Sequence, residues 1–188
     1  YFYMSGIEVN DVLERLCNLL RMETRTFGQK YGVQPVQMDA LTYLTQCNRY
    51  SNTPQAVGEY LGLTKGTISQ SLKVLEQKGL LRKQPDKQDK RVVHLAPTNK
   101  GKKLIENAIA DKSLVPALAN STKITELASV LRSTLRKVQQ MNNRKAFAAC
   151  HTCRFNEHSK KGYICELTQE PLSAQDIQLI YREHEYPL

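Results

Sequence analysis

Two groups of residues have the type and spacing to do chemistry. The first lies between Thr64 and Leu75, a stretch without an acidic residue. Ile68, Leu72 and Leu75 recur at helical spacing and define a buried side. Gly66, Ser69, Gln70 and Lys73 recur at i, i+3, i+4 and i+7 on the opposite side, with Thr64, Lys65 and Thr67 at the helix start. That small, polar-to-cationic face suits the DNA major groove. Gln pairs bidentately with adenine, Ser and Thr reach phosphates or bases, and Lys meets guanine or phosphate. Gly66 removes bulk where a helix start, with its free N–H groups, approaches a phosphate. In isolation an ordinary solvated helix has the same composition, so the flanking elements must decide.

The second group is Cys150-x2-Cys153-x11-Cys165. Cys-x2-Cys places two thiolates on one tight turn, where both can bind a single ion. Beyond a Lys160-Lys161-Gly162 turn, Cys165 is expected to return on a hairpin strand. A fourth ligand must come from elsewhere. His184, on a short terminal helix starting at Pro171-Leu172-Ser173, is preferred, with His151 and His158 as alternatives. Zinc in a Cys3His set is the simplest occupant, because so small a tail has little core and a metal would supply its folding energy. An iron–sulfur cluster on the same cysteines would make the tail a redox or iron sensor. A redox-active Cys150/Cys153 pair and three unrelated free thiols are the remaining readings. Cys17 and Cys47 sit on apolar stripes and are expected to be buried as small hydrophobes.

The elements that must position these groups are mostly helical. Val12, Leu13, Leu16, Leu19 and Leu20 predict an amphipathic helix over about 8–27, and a second runs over about 36–47. Thr53-Pro54 is an N-cap with proline at the first helical position. The short helix it opens ends at Gly62, and Thr64 caps the next, which closes at Gly79. Two short helices joined by a glycine-containing turn form a helix-turn-helix. Residues 80–84 and 91–95 are β-capable runs flanking the polar tip 85–90, so a hairpin wing follows at once. At that tip Lys83, Lys87, Lys90 and Arg91 surround Asp86 and Asp89. Arginine suits a narrow minor groove, and a neighbouring carboxylate fixes its approach. Thr98 caps a further helix that Pro116 bends or ends. Ser121 or Thr122 starts another, whose Ile124, Leu127, Leu131, Leu135 and Val138 form a stripe that packs on a neighbouring helix, often in a partner chain.

The expected organisation is therefore a dimerisation helix over 1–35, a winged helix-turn-helix over 36–101, dimerisation helices over 102–145 and a cysteine-rich tail over 146–188. Tyr1-Phe2-Tyr3, ahead of Met4, are given no structural weight. The 188 residues carry 27 Lys+Arg against 18 Asp+Glu, a net charge of +9 that favours an anionic partner. The longest unbroken apolar stretch is Ala146 to Cys150, far too short to cross a bilayer. No charged-then-apolar signal opens the chain, so a cytoplasmic location is expected. Five cysteines, an odd number, argue against a disulfide framework. A Gly-rich phosphate loop, His-Glu-x-x-His and Gly-x-Ser-x-Gly are all absent, and a closed three-cysteine ligand set argues against a hydrolytic metal centre, so no enzyme is expected.

Four runs carry a family resemblance. They are Leu61-Gly62-Leu63-Thr64-Lys65-Gly66-Thr67-Ile68-Ser69, Leu75-Glu76-Gln77-Lys78-Gly79-Leu80-Leu81, Asp86-Lys87-Gln88-Asp89-Lys90-Arg91 and Leu95-Ala96-Pro97-Thr98-Asn99-Lys100-Gly101. Together they resemble the MarR family of bacterial winged-helix regulators, whose wing signature is Asp-x-x-Asp-x-Arg. The resemblance implies an obligate homodimer, built from the first and last long helices, that binds a palindromic operator as a transcriptional regulator, in the first instance a repressor. It implies that Arg91 is the minor-groove arginine, that Asp89 orients it, and that Thr64, Lys65, Thr67, Ser69, Gln70 and Lys73 contact the major groove and phosphates. It also suggests a small aromatic effector bound between the dimer helices and the winged domain; on that model the tail, read from its own cysteines, is a structural zinc clamp. The alternative signal is a change of metal or redox state in the tail itself. Ala96-Pro97 departs from the family's usual Leu-Thr, and residues 146–188 exceed its plain architecture. Outside this class stands a zinc-stabilised protein-interaction module that never binds DNA.

Overall fold

The computed structural model describes residues 2–87, 89–159 and 162–187. Gln88 of the wing signature and Lys160-Lys161 of the expected tail turn lie outside them. The chain is mostly helical with a small β-wing: α1 Phe2–Tyr31, α2 Pro35–Gln46, α3 Pro54–Leu61, α4 Lys65–Gln77, β1 Leu81–Pro85, β2 Val93–Pro97 and α5 Asn99–Ala110. After these come α6 Leu114–Ala119, α7 Ile124–Met141 and the short strands β3 Ala148–Ala149, β4 Asn156–Ser159, β5 Gly162–Cys165, β6 Glu170–Leu172 and β7 Ile180–Tyr181.

Local sequence sets the winged domain. The Thr53 hydroxyl accepts from the Ala56 N–H, the Thr64 hydroxyl from the Thr67 N–H and the Thr98 hydroxyl from the Gly101 N–H, each satisfying a donor that the first helical turn leaves free. Gly62 closes α3 at φ +66°, a conformation that glycine adopts without steric cost. One core then unites Phe27 and Val33, Leu41 and Tyr43 of α2, Val57 of α3, Ile68, Leu72 and Leu75 of α4, Leu81 and Leu95 of the wing, and Leu104 and Ile105 of α5. Fully burying each such aliphatic side chain stabilises by roughly 1.5–3 kcal/mol.

The wing is antiparallel, in the register Leu81↔Pro97 to Pro85↔Val93. Its second strand starts at Val93 instead of Arg91, because the Val92 N–H bonds to the Asp89 carbonyl and the Asp86 N–H to the Val92 carbonyl, which draws Arg91 into the tip. Where the wing hands over to α5, the Leu80 carbonyl accepts from the Thr98 N–H at 3.0 Å. A Cβ at Gly101 would stand 2.2 Å from that same oxygen. Gly101→Ala is accordingly expected to destabilise the fold by about 1–3 kcal/mol. The loss should be visible as a lower urea midpoint at unchanged m-value, and an unshifted midpoint would show that the contact yields freely.

Four expectations need correction. Helix α1 starts at Phe2, taking in residues that were given no weight, since nothing ahead of Ile7 breaks the helix. Pro116 does not end the preceding helix: α5 stops at Ala110, and Pro116 sits in the first turn of the separate α6, where a missing N–H costs nothing. No terminal helix follows Pro171. Leu172 pairs instead with Tyr163 in the sheet β4-β5-β6, a 3-10 turn covers Asp176–Gln178, and β7 runs antiparallel to β3. Cys17 is exposed, since the outer side of α1 has nothing packed on it within the chain, whereas Cys47 is buried as expected.

The tail folds back onto the helix-turn-helix. The Asn48 N–H bonds to the Ile180 carbonyl at 2.9 Å, and the Arg182 N–H to the Ser51 hydroxyl at 2.8 Å. The Arg182 guanidinium grips Glu59 of α3 through two hydrogen bonds of 2.6 and 2.7 Å, which hold that carboxyl down to about 2. Phe147 lies edge-on against Tyr43 and Tyr60. At the other end of the tail Arg136 of α7 donates to the Pro187 carbonyl and covers the Tyr186 ring.

Candidate nucleic-acid interface

Helix α4 presents two sides of opposite character. Ile68, Ser71, Leu72 and Leu75 are buried, with the Ser71 hydroxyl donating to the Thr67 carbonyl inside the helix. Thr64, Lys65, Gly66, Thr67, Ser69, Gln70 and Lys73 are all exposed. The structure thus brings the seven expected residues onto one open face. Thr64 does double duty, capping the helix and bonding the Thr67 hydroxyl at 3.0 Å, which fixes both side chains at the helix start.

The wing tip supplies the second element. Asp89 accepts from Arg91 Nε at 3.0 Å, from Nη2 at 2.9 Å and from the Arg91 backbone N–H at 3.0 Å. These bonds hold the Asp89 carboxyl below the usual carboxylate range and Arg91 above its own. Although clasped, the Arg91 side chain remains 90% exposed, so the pair presents a fixed guanidinium to the outside. Lys87 and Lys90 are exposed beside it. Lys83, expected among the cations around Asp86 and Asp89, is paired instead with Glu76 of α4 at 2.8 Å and ties strand to helix.

No sequence motif marks His94. In the structure its Nδ1 stands 2.6 Å from Asn52 Oδ1 and its Nε2 3.0 Å from Asp86 Oδ2, while Asp86 also accepts from the Asp89 N–H. His94 thereby anchors the wing tip to the α2–α3 loop. A cavity of about 530 Å³ lies on the side of α1 that faces the winged domain; Leu19, Met22, Phe27, Met38, Ile105 and Ile109 form apolar walls around Asp39 and Lys112. Burial pushes the Asp39 carboxyl up, and Lys112 opposes this. It opens between α1, α2 and α5, a convergence of distant segments that no local motif announces.

The thiols of the tail come together without meeting as a finished metal centre. Cys150, Cys153 and Cys165 are buried, and all five cysteines of the chain are free. The Cys153 N–H bonds back to the Cys150 carbonyl at 3.0 Å, and Cys165 ends β5 on the returning hairpin strand. Burial, then the nearness of Cys153 and Cys165, pushes the Cys150 thiol up to about 11. Among the described residues, however, no three His, Cys, Asp or Glu side chains stand in an arrangement able to hold an ion. His184 lies in irregular chain just after the turn that follows β7 instead of riding on a helix; its Nε2 is engaged with the Thr152 hydroxyl at 2.9 Å, and its buried Nδ1 has no hydrogen-bond partner among the described residues. Of the alternatives, His151 faces the Ile177 carbonyl and His158 stacks on Tyr163.

A family model described as MarR family matches residues 31–92. The organic hydroperoxide resistance transcriptional regulator of Bacillus subtilis (strain 168) is 27% identical over 135 residues, covering 68% of this chain and 92% of that protein. Among solved structures, a MarR transcriptional regulator from Methanosarcina mazei Go1 superposes with a TM-score of 0.60 at 19% identity, covering 71% of this chain and 97% of its own. The S. aureus MepR–DNA complex gives 0.54 at 21% identity, over 70% and 96%. These structural likenesses establish the winged-helix fold, and the family match and the curated relative are to transcriptional regulators, not enzymes. Among the described residues no helix is long and apolar enough to cross a membrane.

Proposed function

We propose that this DNA-binding transcriptional regulator, whose residues 31–92 belong to the MarR family, acts as a homodimeric repressor on a palindromic operator. The observation that carries the reading is the open α4 face beside the clasped Arg91: uncharged hydrogen-bonding groups at Ser69 and Gln70, cations at Lys65 and Lys73, and one oriented guanidinium. The lysines supply salt-dependent attraction to phosphates, and Gln70 and Arg91 discriminate sequence. Pairing is supported by the apolar stripes of α1 and α7, which stay exposed in the single chain. Two reading helices held one DNA turn apart then require both half-sites at once.

Release follows when a signal changes the distance between the two reading helices. The cavity between α1, α2 and α5 supports a small amphipathic effector, because it joins the pairing helix α1 to the reading domain and has apolar walls beside both acidic side chains (Glu23, Asp39, Asp111) and basic ones (Lys30, Lys112). The cysteine tail supports a second route. It bridges α7, through Arg136, and α3, through Arg182 and Glu59, so a change in its shape reaches the pairing and reading parts together.

The test is a binding titration against a duplex selected by the protein from random sequence. Gln70→Ala should lose about 1–3 kcal/mol on that duplex, as expected for a bidentate base contact, while affinity for random duplex stays unchanged. Equal losses on both would reassign Gln70 to the phosphates. A wild-type protein that selects no sequence would overturn the operator reading.

A further inference from the structure

The geometry points to a separate ligand site: a cup between the end of α1, the end of α4 and the start of α5 that binds a small organic phosphate monoester. The cup encloses about 350 Å³, at the lower end of the range for small-molecule sites. Its floor is Val33, Leu80 and Leu104, all buried, and its lip is made by the exposed Lys78, Lys100 and Lys103. Among the described residues no carboxylate lines it. That separates it from the cavity of about 530 Å³ beside α1, where acids and bases are mixed.

The sequence of α5 builds one wall. Lys100, Lys103, Leu104 and Asn107 fall at i, i+3, i+4 and i+7, so a single side of the helix lines the cup. The Lys100 ammonium donates to the Lys78 carbonyl at 3.1 Å, which fixes it at the lip with further donors to spare. The Lys78 ammonium lies over the α1–α2 turn, where a Cβ at Gly32 would stand 3.5 Å from it. Among the described residues none of the three lysines is paired with a carboxylate. Their placement runs against the helix. Lys100, Lys102 and Lys103 crowd the start of α5, whose first turn has no acid, at the positive end of the helix dipole. An anion in the cup relieves that repulsion.

Donor chemistry selects the anion. An arginine fork matches a carboxylate, and among the described residues no arginine lines the cup. Ammonium groups act as point charges, and three around one opening suit a phosphoryl group, with its three outer oxygens and a charge of about −1.5 to −2 at neutral pH. The floor calls for an apolar body on the fourth oxygen. Tyr31 offers that body a flat wall: Phe27 packs on its ring with centroids 4.7 Å apart, yet Tyr31 stays 42% exposed. The cup touches the last residue of α1 and the residue that closes α4, so its occupant ties the two helices together. An effect on DNA binding through that tie rests on the operator reading; the binding of the phosphate does not.

The experiment is calorimetric titration of phenyl phosphate into the full chain, with inorganic phosphate and benzoate as comparisons. One phenyl phosphate per chain is expected. It should bind about tenfold tighter than inorganic phosphate, which cannot use the floor, and than benzoate, which carries less charge. Lys78→Gln and Lys103→Gln should each weaken it about tenfold, whereas Lys102→Gln, on the same helix but outside the cup, should change it by less than about twofold. All three side chains are exposed, so the variants keep the core. Equal losses from Lys102→Gln and Lys103→Gln would reduce the site to diffuse charge and overturn it. Benzoate bound as tightly as phenyl phosphate would overturn the choice of phosphate. Lysine variants that lose affinity for random duplex as steeply as for phenyl phosphate would assign the lip to DNA. A chain that ignores phenyl phosphate, or that instead sediments with vesicles of phosphatidate in phosphatidylcholine, would overturn the soluble-ligand site. The titration itself involves no DNA, so its failure is distinct from failure of the operator reading.

Discussion

Arg91→Ala is expected to weaken operator binding by roughly one to two orders of magnitude, the range of a lost bidentate base contact. The expectation rests on how the side chain is held. A free surface arginine must give up rotamer entropy when it enters a groove, but three hydrogen bonds to Asp89 already restrict this one. The guanidinium stays open to solvent at the same time, so little has to be stripped away when DNA arrives. Arg91 holds the Asp89 carboxyl below the ordinary carboxylate range, so the clasp is lost only as the pH falls through that lowered value. Asp89→Asn should therefore give an intermediate loss, with the cation retained but unsteadied. Fluorescence anisotropy at two salt concentrations separates the alternatives. If Arg91 meets only a phosphate, Arg91→Ala weakens all duplexes alike and lowers the salt slope by about 1. If affinity does not move, the wing does not touch DNA. Gel filtration of the variant should be unchanged, since the tip is remote from α1 and α7 in the chain.

The winged domain was legible because its determinants are local. Thr53, Thr64 and Thr98 cap the helices they precede, Gly62 and Gly79 mark left-handed stops, and the spacing of 68, 72 and 75 sorts α4 into inner and outer sides. Arg91 and Asp89 are two residues apart, so even their clasp is local. The tail was harder to read. Strands of two to four residues are too short for alternation to show, and β3 and β7 find each other across about thirty residues that carry no helical period. A proline ahead of Leu172 resembles a helix start, yet the cross-strand contact of Leu172 with Tyr163 decides the outcome. Cys17 illustrates a different limit. Its apolar stripe was read correctly, but a stripe states only that something covers it, not that the same chain does.

That last point carries the second large prediction. Helix α7 has no buried residue, although Leu127, Leu131, Leu135 and Val138 follow one another along a single side, and Val12, Leu16 and Leu19 do the same on α1. So much exposed apolar surface on two helices is what the proposed pairing must cover. Leu131→Glu places a carboxylate in that seam. In a twofold assembly the change occurs twice, and each unpaired charge taken out of water costs several kcal/mol. Dimerisation should weaken by more than roughly a hundredfold, and the equilibrium at micromolar protein should move to monomer. Binding to the full palindrome should fall at least as far, because a lone reading head loses the second, effectively intramolecular contact, while binding to an isolated half-site should change little. Thermal unfolding of the winged core should survive, since its buried residues come from the α1 end, α2–α5 and the wing. Sedimentation equilibrium and paired titrations on whole and half operators read these outcomes together. A variant that remains a tight dimer would place the subunit contact elsewhere, and one that loses half-site binding as strongly as palindrome binding would show that α7 supports the reading head directly.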